Sequence, residues 1–166
     1  VTGFVWNFTV ANHYPQIDPA GFTAEAASEI NEDRVAANVI DGSGLINGAH
    51  GTDVKTMWLS GTNHTDSEWF IIDMQQAYFV DVIKIWNFNW TGYTNRGVRN
   101  VNICYSNVAD PNDPIGNPEN WNILSTTTVP EASGASDYDN PFVVDMELVQ
   151  ARWVGMLIED THGGGY

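Results

Sequence analysis

The stretch that decides the fold runs from residue 69 to residue 106 and contains three apolar segments. They read WFIIDM (69–74), VIKIWNFN (82–89) and RGVRNVNICYS (96–106). β-Branched and aromatic residues are concentrated in each segment, as is typical of half-buried strands. In the third segment, apolar residues at 101, 103 and 105 alternate with small or polar ones, so one face is apolar. We therefore predict three antiparallel strands of a β-sandwich.

A loop with an unusual mixture of side chains joins the second and third segments. Aromatic rings and planar polar groups occur together within ten residues, at Asn87, Asn89, Trp90, Tyr93 and Arg96. Sugar recognition requires this combination, because rings stack on the apolar face of a sugar while polar groups bind its hydroxyls. The alternative is structural: Arg96 pairs with a local acid and Trp90 covers the edge of the core. Both interpretations stay open at this point.

Further strands are predicted on both sides of this stretch. Their patterns lie at residues 1–10, 22–28, 121–129, 142–146 and 151–159, with one helical turn within 29–36. Prolines and glycines mark residues 11–21 as an extended linker. At 166 residues, the chain has the length of one domain that buries about two-thirds of its unfolded surface.

The charge balance restricts the possible partners. With 21 acidic and 6 basic residues, the formal net charge is −15. Nucleic acids and anionic membranes are attracted by cationic patches, so neither is an expected partner. An acidic surface fits a soluble extracellular protein, and it also fits carboxylates that bind a divalent cation. No apolar run reaches the ~18 residues of a membrane span, so membrane insertion is not expected.

Catalytic and metal-binding motifs are missing from the sequence. Cys104 is the one cysteine, so an intramolecular disulfide is excluded. It lies within a predicted strand, which predicts a small packing residue rather than a nucleophile. Glu159 and Asp160 are neighbours on a strand and point to opposite faces, unlike a glycosidase acid pair. The four histidines are scattered through loops rather than clustered as in zinc sites, at positions 13, 50, 64 and 162. We expect no enzyme activity.

The order of several motifs resembles discoidin-type modules, also called coagulation factor C-type modules, and the similar family-32 carbohydrate-binding modules. The motifs are Asp41-Gly42, Met57–Ser60, Trp69–Met74, Val98–Ser106, Trp121 and Ala151–Val154. The resemblance covers roughly residues 22–166. It implies an all-β, discoidin-like jelly-roll β-sandwich that binds sugars or cell surfaces through loops at one end.

The resemblance also implies a structural Ca²⁺ near the Asp-Gly turn, which makes Asp41 a predicted metal ligand. The family's second carboxylate comes from a final strand for which this sequence has no counterpart. Galactose-binding relatives carry a histidine after the tryptophan that matches Trp58. Leu59 stands there, so a galactose-type site is not carried over.

The ends of the chain depart from the family. Its members continue beyond the glycines at 163–165 into a closing strand, whereas this sequence has a surplus strand at residues 1–10, with Phe4, Trp6 and Phe8 on one face. Three explanations are open. The strand complements the sandwich of residues 22–166 in its own chain, or it is donated to a neighbouring subunit and builds a head-to-tail fibre. The third is a processed or partial chain, as the start at Val1 also indicates.

Asn-x-Ser/Thr sequons occur at Asn7, Asn63 and Asn89. A glycan on Asn89 would block the predicted sugar site, so those two predictions compete. Taken together, the sequence predicts a non-catalytic module, extracellular or on the cell surface, with a structural or adhesive role and copies of itself as partners. The alternative is a carbohydrate-binding module of a larger secreted protein, with glycans as partners.

Overall fold

The computed structural model describes residues 16–62 and 68–163 in full, and only the backbone of residues 4–7. These residues form strands and short 3-10 turns. The strands are β1 (Phe4–Asn7), β2 (Thr23–Ala26), β3 (Leu45–Ile46), β4 (Ala49–His50), β5 (Glu68–Asn87), β6 (Asn100–Ser106), β7 (Asn122–Thr128) and β8 (Phe142–Ile158). The 3-10 turns are Ala36–Val39, Val54–Thr56, Thr94–Arg96 and Pro118–Asn120. Within the described ranges, no helix could span a membrane.

Two long strands, β5 and β8, run through both layers of the sandwich. Their first and last portions pair antiparallel, from Glu68↔Ile158 to Ile85↔Phe142. The 68–73 half of β5 also pairs with β2, and the 153–158 half of β8 pairs with β6, which in turn pairs with β7. The other half of β5 pairs with β1, so one hydrogen-bonded network bends into two layers.

This architecture corrects the predicted division into strands. Segments 69–74 and 82–89 are two halves of β5 rather than antiparallel neighbours, and 142–146 and 151–159 are likewise two halves of β8. The prediction failed because polar residues at each bend interrupt the apolar alternation and look like loops. The helical turn is Ala36–Val39, later in the chain than the predicted 29–36.

The same local device makes both bends. In β5, the Asp73 carboxylate accepts the Gln75 N–H at 2.7 Å, and Gln75 has a φ of 67°. In β8, Asp145 accepts the Glu147 N–H at 2.8 Å, and Glu147 has a φ of 54°. An aspartate that bonds the backbone two residues on stabilises a turn, so each strand changes direction without ending.

The core lies between the two layers and is apolar. Trp58 is fully buried, its ring centroid 5.7 Å from that of Phe70, and its indole N–H donates to the Ser28 carbonyl at 3.0 Å. Trp58 is therefore a core residue. Burial also raises the pKa of the Cys104 thiol to about 12, so the thiol stays protonated and packs as a small apolar group.

A second apolar cluster covers the outer face of the β5–β8–β6 layer. It contains Ile71, Cys104, Trp121 and Trp153, with Trp69 packed against it. The indole N–H of Trp121 donates to the carbonyl of Asn112 at 3.1 Å, which fastens the 107–120 loop over this face. Several of the abundant tryptophans thus serve packing rather than recognition.

The N-terminal strand lies in the sheet of its own chain. β1 pairs antiparallel with β5, with Phe4 opposite Asn87 and Asn7 opposite Lys84. This is the self-complementing arrangement among the three explanations. Phe8 lies outside the described residues, as do Asn63 and the histidines at 13 and 64.

Candidate functional site

The loop between β5 and β6 is anchored by the buried amide of Asn87. Its Nδ2 donates to the carbonyls of Val98 and Pro130 at 2.7 and 2.8 Å, and its Oδ1 accepts the N–H groups of Phe88 and Val98. A Cβ on Gly97 would stand 2.5 Å from Oδ1, so glycine lets the loop close over this amide. Asn87 is fully buried, so its contact with a sugar stays a prediction that the folded loop does not favour.

Asn89 is the second buried amide under the loop. Its Nδ2 donates to the carbonyls of Gly51 and Ala135 at 3.0 and 2.7 Å, and more weakly to His50 at 3.2 Å. Its Oδ1 accepts the Gly134 N–H at 2.7 Å. Asn89 is fully buried and its amide is committed to backbone groups, so the sugar contact and the glycan at this residue stay predictions that the folded loop does not favour.

Above the two amides, Trp90, Tyr93, Arg96 and Arg34 form one cluster, named here the aromatic–arginine cluster. The rings of Trp90 and Tyr93 stack with centroids 4.3 Å apart and planes 25° apart. The Arg96 guanidinium lies 4.6 Å from the Tyr93 centroid and 5.5 Å from that of Trp90, and Arg34 lies 5.6 Å from Trp90. These are cation–π distances.

The cluster rests on apolar side chains and faces solvent. Trp90 is half-buried and packs on the buried side chains of Met57, Leu59 and Phe88. Tyr93 is 42% exposed. Trp90 therefore does cover the edge of the core, as the structural alternative held, while Tyr93 is exposed and both arginines are half-buried.

The electrostatics of the cluster are unusual for so acidic a chain. Burial is the main factor that lowers the pKa of Arg96; the Tyr93 phenol opposes this, and Arg34 adds to the lowering. Guanidinium groups nevertheless stay charged at neutral pH. The cluster thus holds two close positive charges.

The neighbouring loop is tied to the cluster by side-chain hydrogen bonds. Thr91 donates to the carbonyl of Gly134 at 2.8 Å, and Thr94 donates to the carboxylate of Glu131 at 2.6 Å. His50, which pairs with Tyr138 through the backbone, is fully buried beneath. Its pKa is lowered by burial, and a hydrogen bond between Nδ1 and the Gly51 carbonyl opposes that shift.

The predicted metal ligand lies in an exposed turn. The Asp41 carboxylate accepts the Ser43 N–H at 2.8 Å. Within residues 16–62 and 68–163, no group of three or more His, Cys, Asp or Glu side chains could hold a metal ion. Calcium binding through Asp41 stays a prediction, and so does glycosylation of Asn7.

Sequence reasoning missed Arg34, which stands at the end of an acidic stretch far from the loop. Its turn is positioned by backbone bonds, including Leu59 N–H to the Arg34 carbonyl at 3.3 Å. Arg34 lies between Asp33 and an apolar run, and this local sequence does not indicate that its side chain contacts the Trp90 ring.

A separate cleft of about 190 Å³ opens at the bend of β5. It is lined by Ala20, Gly21, Phe22, Met74, Gln75, Gln76 and Tyr78. At ~3.3 Å per strand residue, Tyr78 lies about 30 Å along the strand from Asn87. This cleft is therefore far from the aromatic–arginine cluster, and one of the amides that line it is already engaged, because Gln76 donates to the Tyr78 hydroxyl at 2.6 Å.

Comparison with solved structures places the fold. A family 32 carbohydrate-binding module of NanJ from Clostridium perfringens, in complex with galactose, is 18% identical and covers 89% of each chain with a TM-score of 0.63. Another C. perfringens module, in complex with GalNAc-β-1,3-galactose, is 14% identical, covering 89% of this chain and 90% of that one with a TM-score of 0.60. The lectin domain of lectinolysin, complexed with Lewis B antigen, is 17% identical with coverages of 86% and 84% and a TM-score of 0.56.

No family model matches the chain, and no curated protein matches its sequence. The structural likeness shows that the protein has a discoidin-like, galactose-binding-like β-sandwich, which confirms the fold expected from the motif order. Neighbours with this fold include carbohydrate-binding modules and lectin domains.

Proposed function

We propose that this chain is a non-catalytic carbohydrate-binding module that binds glycans through the aromatic–arginine cluster. The observation that carries the proposal is the stacking of Trp90 and Tyr93 with Arg96 on one loop held by two buried amides, with Arg34 reaching Trp90 from a separate segment. A rigid loop that presents aromatic edges and planar donors suits a ligand rich in hydroxyl groups.

The comparisons support the same proposal. The three neighbours described above are carbohydrate-binding modules or lectin domains, and each is in complex with a sugar or a glycan antigen. The proposal includes an extracellular location, because glycan polymers and cell-surface glycans occur outside the cell. Copies of the chain as head-to-tail partners are less well supported, because β1 already pairs with β5 of its own chain.

A glycan array followed by calorimetry tests the proposal. The wild-type chain is expected to bind at least one glycan, and Tyr93→Ala to weaken that binding at least tenfold, or about 1.4 kcal/mol. Tyr93 is the better target than Trp90, because its exposed ring contributes less to packing than a ring seated on the apolar cluster.

Phe79→Ala is the matched control. Phe79 is an aromatic residue in β5, 69% exposed, and lies toward the bend. This variant should leave both affinity and melting temperature unchanged. Equal affinity of wild type and Tyr93→Ala for every bound glycan would show that the cluster is not the site.

A further inference from the structure

The cleft at the bend of β5 is a concavity remote from the aromatic–arginine cluster. The pairing of β2 with β5 ends at Thr23↔Asp73. Beyond this pair, β5 turns at Gln75, which has a φ of 67°, and the chain before β2 turns at Gly21, which has a φ of 92°. The two segments therefore separate instead of extending the ladder, and the space between them is the cleft of about 190 Å³.

Hydrogen bonds fix both walls of the cleft. On one side, the Phe22 N–H donates to the Pro19 carbonyl at 2.9 Å and closes a four-residue turn. The glycine at the third position of this turn has the positive φ that a type II turn requires. On the other side, the Asp73 carboxylate accepts the Gln75 N–H at 2.7 Å. The shape of the cleft is therefore set by the fold before any ligand binds.

The lining brings apolar side chains and amides together. The rings of Phe22 and Tyr78 are both half-buried, with centroids 6.1 Å apart and planes tilted by 53°. Met74, which also lines the cleft, is buried. Gln75 and Gln76 are exposed, and the Gln76 amide donates to the Tyr78 hydroxyl at 2.6 Å. A ligand in the cleft thus meets an apolar surface and polar groups at once.

Both glutamine side chains keep hydrogen-bonding capacity for a ligand. A primary amide carries two N–H donors and one acceptor oxygen. Gln76 uses one donor on the Tyr78 hydroxyl, and Gln75 makes a long contact of 3.4 Å with the Thr23 hydroxyl. Within the part of the chain that the structure describes, no hydrogen bond reaches the side-chain oxygen of either glutamine. Each amide can therefore both donate to and accept from the hydroxyls of a ligand.

Charge restricts the class of ligand. Among the described residues that line the cleft, none is charged. Asp73, which precedes the lining residue Met74, is paired with Arg152 at 2.7 Å. An anion finds no cationic partner in the lining and is repelled by the net charge of −15, while a cation finds no carboxylate there. The cleft therefore suits a neutral ligand that has both an apolar face and hydroxyl groups.

We infer that this cleft is a second sugar site, which binds one neutral pyranose ring. Aromatic and apolar side chains pack against the C–H face of such a ring, and the two amides bind its hydroxyls. The volume lies below the ~300 Å³ of sites for larger ligands, so one ring fits rather than an oligosaccharide. The inference goes beyond the proposed function, because it does not require the aromatic–arginine cluster to bind glycans.

Nuclear magnetic resonance on the isotope-labelled chain tests the inference, with the side-chain amide signals of Gln75 and Gln76 as the readout. The probes are the methyl glycosides of galactose, glucose and mannose, with methyl glucuronide as the charged counterpart. At least one neutral glycoside should shift both signals saturably, with a Kd on the order of 1–10 mM for so small a ligand. The shifts should persist in Tyr93→Ala, because Tyr93 lies in the aromatic–arginine cluster.

Two variants disturb the cleft from its two walls, and a third is the matched control. Gln76→Ala removes an amide, and Ala20→Trp fills the cleft from an exposed position. Both should weaken binding about fivefold or more, as followed on the Gln75 signal. Gln150→Ala removes an exposed glutamine of β8 that does not line the cleft, and it should bind as wild type does.

Each outcome decides the inference. Saturable shifts with a neutral glycoside that persist in Tyr93→Ala and weaken in both cleft variants support a second site. The inference is overturned by shifts that disappear in Tyr93→Ala, by unaltered affinity of the cleft variants, by equal affinity for the glucuronide, or by no shift in a well-folded chain. The proposed function is tested separately, because glycan affinity at the aromatic–arginine cluster is measured with the array glycans that Tyr93→Ala weakens. Either claim can therefore fail while the other stands.

Discussion

Buried polar side chains of different chemistry hold two ends of the sandwich. The loop end carries the loop between β5 and β6, and the bend end contains the bend of β5. At the loop end, the neutral amides of Asn87 and Asn89 bond backbone groups from three separate segments. At the bend end, the buried Asp73 carboxylate bonds Gln75 and forms a two-point pair with Arg152, at 2.9 and 2.7 Å. The amides hold loops that carry a ligand surface, whereas the ion pair shapes two strands.

Neutral amides keep the loop rigid without adding a competing charge beneath it. A buried carboxylate beneath the loop would draw Arg34 or Arg96 toward it and away from a ligand. Amides provide donors and acceptors without net charge, so the arginines above them stay directed at the aromatic rings.

The largest effect is expected from Asn89→Ala. Loss of this amide leaves the Gly134 N–H and the carbonyls of Gly51 and Ala135 without their side-chain partner. Unfolding free energy should fall by about 3 kcal/mol, because buried polar groups lose their hydrogen bonds. Urea denaturation measures the loss, and glycan affinity should fall with it because the loop loosens.

Asn95→Ala is the control, since Asn95 is exposed in the same loop and its loss should cost less than about 0.5 kcal/mol. If Asn89→Ala lowers the unfolding free energy only slightly, the loop is held by other contacts. The proposed difference between the two ends would then be wrong.

A smaller effect is expected at the bend end, from Asp73→Ala. Removal of its hydrogen bonds to Gln75 and Arg152 should reduce the unfolding free energy by about 2 kcal/mol. Glycan affinity should be unchanged at a temperature where the variant is folded. Calorimetric titration checks this, and reduced affinity would show that the two ends are coupled.

The smallest expected effect is on the pH dependence of the unfolding free energy. His50 and Asp160 contribute to it in different pH ranges. The folded-state pKa of His50 lies below its ordinary 6.5 because of burial. The unfolded chain therefore takes up the proton first, and stability should fall as pH drops below about 6.5. Asp160 differs: hydrogen bonds from Arg99 hold its pKa at about 2, below the ordinary 3.8.

The stabilising contribution of the Asp160 carboxylate is complete above pH 3.8 and is lost as pH falls toward 2. Urea midpoints between pH 8 and pH 3 should therefore show a first decline near pH 6.5 and a second below pH 4. His50→Gln should flatten the first decline and leave the second. A first decline that survives in this variant would assign it to another group.

Much of the fold was predictable because strand patterns are local. Alternation at residues 101–106 and the apolar runs near 69–74 and 151–158 follow from a two-residue period that needs no knowledge of partners. The bends were not predictable in this way. A strand that turns at Asp73 and at Asp145 has the same sequence signature as a strand that ends there.

The candidate site was likewise predictable in part from local sequence and in part only from the tertiary structure. The sequence alone shows that aromatic and planar polar residues crowd into the segment after β5. Only the tertiary structure decided that Asn87 and Asn89 point inward, that Trp90, Tyr93 and Arg96 stay at the surface, and that Arg34 joins them. The physical reason is that burial and long-range proximity depend on how separate segments pack, and no local pattern encodes that packing.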